Sequence, residues 1–117
     1  MGLTFVSGEV TGPAGNHMIV EFMVDSGAEY TVLPHDVWNA IALLPKRRER
    51  FVLADGTPVE RDVSECHISL PQGEGHTPVI LGEPGDEALL GVVTLEILGL
   101  MLNPFKRTLE TMHGMLA

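Results

Sequence analysis

The tightest constraint on this chain lies in residues 22–34. Phe22-Met23-Val24 runs into Asp25-Ser26-Gly27-Ala28, and Tyr30-Thr31-Val32-Leu33-Pro34 follows. A carboxylate stands at the end of one apolar, β-rich run, and a second such run begins a few residues later. Burying a lone charge is costly, and no basic residue is near in sequence. A fold that keeps both runs inside must therefore hydrogen-bond this acid or shift its pKa. Serine and glycine after the acid are turn formers, so an Asp-Ser-Gly triplet by itself also marks an ordinary turn or an N-cap in an inert fold. The two apolar flanks make the stretch more specific than that.

The remaining punctuation favours strands over long helices. Thirteen glycines and eight prolines in 117 residues cut the chain into short segments, which suits a turn-rich, all-β domain with one or two short helices. That length allows one modest core, read as a single domain over residues 1–117. With aromatic residues at only 5%, Val, Leu, Ile and Met must fill it.

Thr4 to Val10 reads as a first strand and His17 to Val24 as a second, with residues 11–16 as their turn. Tyr30 to Leu33 is a short third. Pro34 suits the first turn of a helix in which Val37, Trp38, Ile41 and Leu44 share a face, ended by Pro45. Phe51 to Val59 holds two β-rich runs joined across Asp55-Gly56, a strong hairpin signal. Val63, Cys66, Ile68 and Leu70 give the alternation of a half-buried strand. Residues 71–75 form a loop, Thr77 to Leu81 another strand, and residues 83–87 a polar loop. Val92 to Leu98 is a short helix with Gly99 as its C′ residue. Leu100 to Leu102 and Lys106 to Met112 close the chain as strands around Asn103-Pro104.

Charge and cysteine usage exclude several classes of partner. A formal net charge of −9 disfavours nucleic acid and anionic membrane surfaces. The one basic cluster, Lys46-Arg47-Arg48-Glu49-Arg50, reads as a solvated loop. No apolar run reaches the length of a membrane span, and the N-terminus lacks a signal-peptide pattern. Cys66 is the only cysteine, so no internal disulfide is possible, which fits a reducing, cytoplasmic compartment. Its neighbour His67 points to the opposite face of the same strand. His17, His35, His67, His76 and His113 are scattered without ligand spacing, so neither a metal nor another cofactor is expected.

Asp25-Ser26-Gly27-Ala28 resembles the D-[ST]-G-[AS] signature of the aspartic peptidases. The elements that follow are similar in order to those of the retropepsin-like (retroviral-type) group, across about Thr4 to Met112. The Asp55-Gly56 hairpin falls where that family carries its flap. Leu89-Leu90-Gly91 and the helix after it resemble the family's hydrophobic-hydrophobic-Gly element, and this region with the Arg107-Thr108-Leu109 ending looks more like small bacterial-type members than viral ones. The resemblance implies a retropepsin-like acid-protease barrel built as a half-size subunit. It also implies that Asp25 holds the catalytic water while Ser26 and Gly27 fix the loop that aims it. Gly27 and Glu29 would contact an extended peptide or protein substrate, as would Ala54, Asp55, Gly56 and Thr57 at the flap tip. Glu29 stands where viral relatives carry Asp, and the flap is poorer in glycine than theirs.

Aspartic peptidase chemistry needs two carboxylates sharing one proton. The chain has no second D-[ST]-G. Two copies are therefore required, with Asp25 and its symmetry mate at the axis of a C2 homodimer. Leu3, Phe5 and Val6 at one end, with Leu109 and Met112 at the other, are suited to interleave across that interface. The alternative is a retropepsin-fold binding or dimerisation module without activity, since fold does not fix function.

Overall fold

A computed structural model describes residues 3–112 and divides them into nine strands and two six-residue helices. The expected single domain thus extends past the described residues at both ends, and His113 lies outside them. Strands β1 (Phe5–Thr11), β2 (His17–Val24), β3 (Thr31–Leu33), β4 (Arg47–Val52), β5 (Pro58–Leu70), β6 (Gly73–Leu81) and β7 (Leu89–Leu90) form one sheet in the order β1-β2-β7-β3-β6-β5-β4. Strand β1 also meets β5, with Glu9 to Thr11 opposite Ser69 to His67, so the sheet curls back on its first strand. β8 (Leu100–Asn103) and β9 (Thr108–Thr111) make a separate two-stranded sheet.

Alternation sets which side chains fill the interior. Val20, Phe22 and Val24 of β2 face inward, as do Cys66, Ile68 and Leu70 of β5 and Val79 and Leu81 of β6. Phe22, Ile68, Val79 and Leu90 are fully buried, and at about 25 cal/mol per Å² such side chains supply most of the drive to fold. This is the aliphatic core that the low aromatic content required.

Helix α1 (His35–Ala40) begins after Pro34, whose carbonyl accepts the amides of Val37 and Trp38. It stops short of Pro45. Ala42 takes a left-handed conformation (φ 58°), and the Leu43 and Ala42 amides close onto the carbonyls of Trp38 and Asn39. That is the Schellman geometry of a helix end. Leu44 is consequently not on the helix face with Val37 and Ile41 but 75% exposed. Helix α2 (Val92–Ile97) ends as its sequence predicts, at Gly99 with φ 70°.

Three further expectations are corrected. Lys46 to Arg50 is not a solvated loop, since Arg47 onward forms β4. Arg48 reaches both Glu60 and Asp62 on β5 at 3.1 Å, so the charges form a cross-strand ladder on one exposed face. The loop at 71–75 shrinks to a turn because Gly73 and Glu74 already pair with Leu70 and Ser69. Leu109 is not available to a partner: it pairs with Leu102 and is buried in its own subunit's core.

Candidate active site

Asp25 is carried by the end of β2. The Val24 amide donates to the carbonyl of Thr4 and the Asp25 amide to that of Leu90 (3.0 Å), so the chain delivering the acid is held from Thr4 on one side and from β7 on the other. Beyond it the chain turns at once. The Gly27 amide donates to Asp25 Oδ1 (2.9 Å) and the Ala28 amide to the Asp25 carbonyl (3.1 Å). One acid therefore closes its own loop twice, through side chain and backbone. Asp25 is half-buried, while Ser26 and Gly27 are exposed beside it. The carboxylate is hydrogen-bonded, as its flanks demanded, and still reachable from solvent.

The loop is welded to the Leu-Leu-Gly element. Ala28 and Glu29 offer their carbonyls to the amides of Val92 and Val93 (both 2.9 Å), so the loop satisfies donors that the first turn of α2 would otherwise leave unpaired. A Cβ at Gly91 would sit 2.5–2.8 Å from backbone atoms of Tyr30 and Glu29. Only glycine permits so close an approach. Beneath this junction three buried threonines form a chain: Thr31 and Thr94 hydroxyls lie 2.6 Å apart, Thr94 and Thr77 2.8 Å. Its ends fix its direction. The Gly91 amide can only donate to Thr31 (3.0 Å), and the Pro78 carbonyl can only accept from Thr77 (3.3 Å). Each hydroxyl therefore accepts one proton and donates one.

The hairpin of β4 and β5 ends in an exposed connection. Its connection, residues 53–57, is closed by Leu53 to Thr57 and Gly56 to Leu53 backbone bonds. Gly56 adopts φ 89°, and Asp55 Oδ1 accepts the Thr57 amide at 2.9 Å. Ala54, Asp55, Gly56 and Thr57 are all exposed. The connection is thus a five-residue loop with Asp55-Gly56 inside it. Thr57, through its backbone and then its side chain, holds the Asp55 carboxyl below the usual aspartate range. Pro58 opens β5 opposite Val52, at the strand's first position, where its missing N–H costs least.

Asp25, Ser26 and Gly27 fall together in one turn, and Glu29 lies just past it with its side chain exposed. Both ends of β4, Arg47 at the hairpin's base and Phe51 near its tip, meet the segment that follows the turn. Phe51 packs edge-on against Tyr30 with ring centroids 5.6 Å apart, and Arg47 donates to the Tyr30 hydroxyl at 3.2 Å. Between hairpin and body lies a cleft of 220 Å³ walled by Val32, Phe51, Leu53, Val59, Ile80 and Leu89. Val32 and Leu89 pair directly, one residue from the Leu90 carbonyl that holds Asp25. These wall residues and Tyr30 did not emerge from the sequence pattern. Their signal was faint: apolar positions on the less buried side of strands whose other side fills the core.

On the other side of the turn, Ser26 borders a 360 Å³ apolar groove with Val92, Leu95, Leu100, Met101 and Met112. Burial pushes the Cys66 thiol up to about 12, leaving it inert at neutral pH. Among the described residues no three His, Cys, Asp or Glu side chains gather as a metal would need, and no helix is long and apolar enough to cross a membrane. No protein-family model matches the chain, and no curated protein matches its sequence.

Proposed function

We propose that the chain is a retropepsin-like aspartic endopeptidase acting as a homodimer on an extended peptide or protein segment, without metal or cofactor. The observation that carries this reading is the Asp25 turn: a solvent-reachable carboxylate, oriented by the Gly27 amide and anchored through Leu90 and α2. In a dimer, Asp25 and its mate share one proton. The ionised carboxylate takes a proton from water as that water attacks the scissile carbonyl, and the protonated one donates to the carbonyl oxygen. The tetrahedral species then collapses with protonation of the leaving amine. The β1–β5 pairing supports the barrel form of this fold. The groove beside Ser26 and the edges of the β8–β9 sheet, unpaired among the described residues and with Met101 and Met112 exposed along it, suit a second copy of the chain.

A second reading, a peptide-binding or dimerisation module without activity, draws on the hairpin. Asp55 locks its tip through Thr57, and Pro58 stiffens its second strand, where a peptidase needs an element that opens.

The dimer is tested with Ser26→Cys. Cysteines flanking the axis would lie within disulfide reach, and the inert Cys66 leaves the new thiols as the reactive ones. Mild oxidation should give a covalent dimer from a protein that already sediments as a dimer. A monomer at high concentration that fails to cross-link would overturn the two-chain site.

A further inference from the structure

We infer that the cleft under the outer end of the hairpin selects a basic side chain, lysine or arginine, from the bound peptide; this rests on the proposed peptidase reading for where the peptide lies. The walls are apolar, with Val32 and Leu89 on the side of the body and Phe51 and Val59 on the hairpin. They suit an unbranched aliphatic stem. The rim is charged and unbalanced. Arg61 is the one cation lining it, and that guanidinium is engaged by Glu83 at 3.2 Å. Asp86 and Glu87 also line the cleft, so its lining carries two carboxylates beside a cation already paired with Glu83. Asp86 is held in place by the Glu83 amide at 2.8 Å, and among the described residues no basic group pairs with it or with Glu87. A long side chain lying along the walls brings its head to these two acids, as amphipathic lysine and arginine do elsewhere. The net charge of −9 also draws cationic segments toward the molecule and repels acidic ones.

The test uses Asp25→Asn, which binds without cleaving. A single lysine is walked through an otherwise neutral octapeptide, with norleucine and glutamate at the same positions as comparisons, and affinity is read by fluorescence anisotropy. At one position lysine should bind about two- to fivefold tighter than norleucine, the range of an accessible charge pair, and glutamate weaker than both. Adding Asp86→Asn and Glu87→Gln should bring lysine down to norleucine while norleucine stays unchanged. Equal affinity for lysine and norleucine at every position, no binding at all, or a lysine preference that survives the double change would overturn the inference. Wild-type cleavage separates the two claims. Lysine-selective binding without any cleavage leaves the subsite standing and removes the peptidase, whereas cleavage indifferent to lysine does the reverse.

Discussion

Replacing Thr94 by valine removes one hydroxyl and almost no volume, yet it cuts the buried threonine chain in the middle. In the intact protein the proton order runs from the Gly91 amide through Thr31, Thr94 and Thr77 to the Pro78 carbonyl. Valine deletes both central bonds. Thr77 keeps its donation to Pro78, but the Thr31 hydroxyl loses its acceptor inside a core where Thr31, Thr77 and Thr94 are at most 1% exposed. A stranded buried donor costs about 1–3 kcal/mol and the second lost bond about 1 kcal/mol, so Thr94→Val should destabilise by roughly 2–4 kcal/mol. For a domain of this size that is a fall in melting temperature of about 8–16 °C. The assay is reversible thermal and urea unfolding by circular dichroism. Thr94→Ser, which keeps the hydroxyl, should lose less. The double variant Thr31→Val, Thr94→Val should cost less than the two single changes added, because the stranded donor is gone. A Thr94→Val protein within about 0.5 kcal/mol of wild type, the range of an uninvolved surface change, would refute the relay.

Two further outcomes are expected. Cys66, pushed up to about 12 by burial, should resist thiol reagents at pH 8 in the native protein and react at one thiol per chain in denaturant; rapid native labelling would mean that the inner face of β5 opens. The Asp55 lock should weaken in acid: a carboxyl whose folded pKa is depressed contributes order that is fully present above its unfolded value and is lost as pH falls through the folded one. Exchange protection of the Thr57 amide should therefore fall with a midpoint below 3.8, and a pH-independent amide there would remove the lock.

The sequence was most legible where side-chain chemistry and backbone geometry coincide. Val20, Phe22 and Val24 alternate into the core and deliver Asp25, and Gly99 has the residue type its left-handed φ demands. The end of α1 was hidden because Ala42, which carries no turn signal, takes the left-handed conformation that glycine usually marks. Strand β4 was hidden because its pattern is charge: Arg48, Glu60 and Asp62 form an exposed ladder whose partners are distant in sequence. Within the site, the Asp25 turn was legible as a local motif. The threonine chain was not, since Thr31, Thr77 and Thr94 come from three elements. The one cue was a lone hydroxyl in the apolar run of α2. The cleft walls required knowing that the outer part of the hairpin, at Phe51, folds onto Tyr30.

The central claim is that Asp25 is the base that activates water. Wild type and Asp25→Asn are compared for cleavage of a denatured protein at mildly acidic pH, with and without a statine inhibitor that mimics the tetrahedral intermediate. The amide keeps the volume of the carboxyl and can still accept from the Gly27 amide, so fold and association should persist. A dimer of the variant holds no carboxylate to take the proton and no acid to give one. Wild-type cleavage should be blocked by the inhibitor, and the variant's rate should fall by at least about 100-fold. Undiminished, inhibitor-resistant cleavage by Asp25→Asn would contradict the claim, as would a folded wild-type dimer that cleaves nothing.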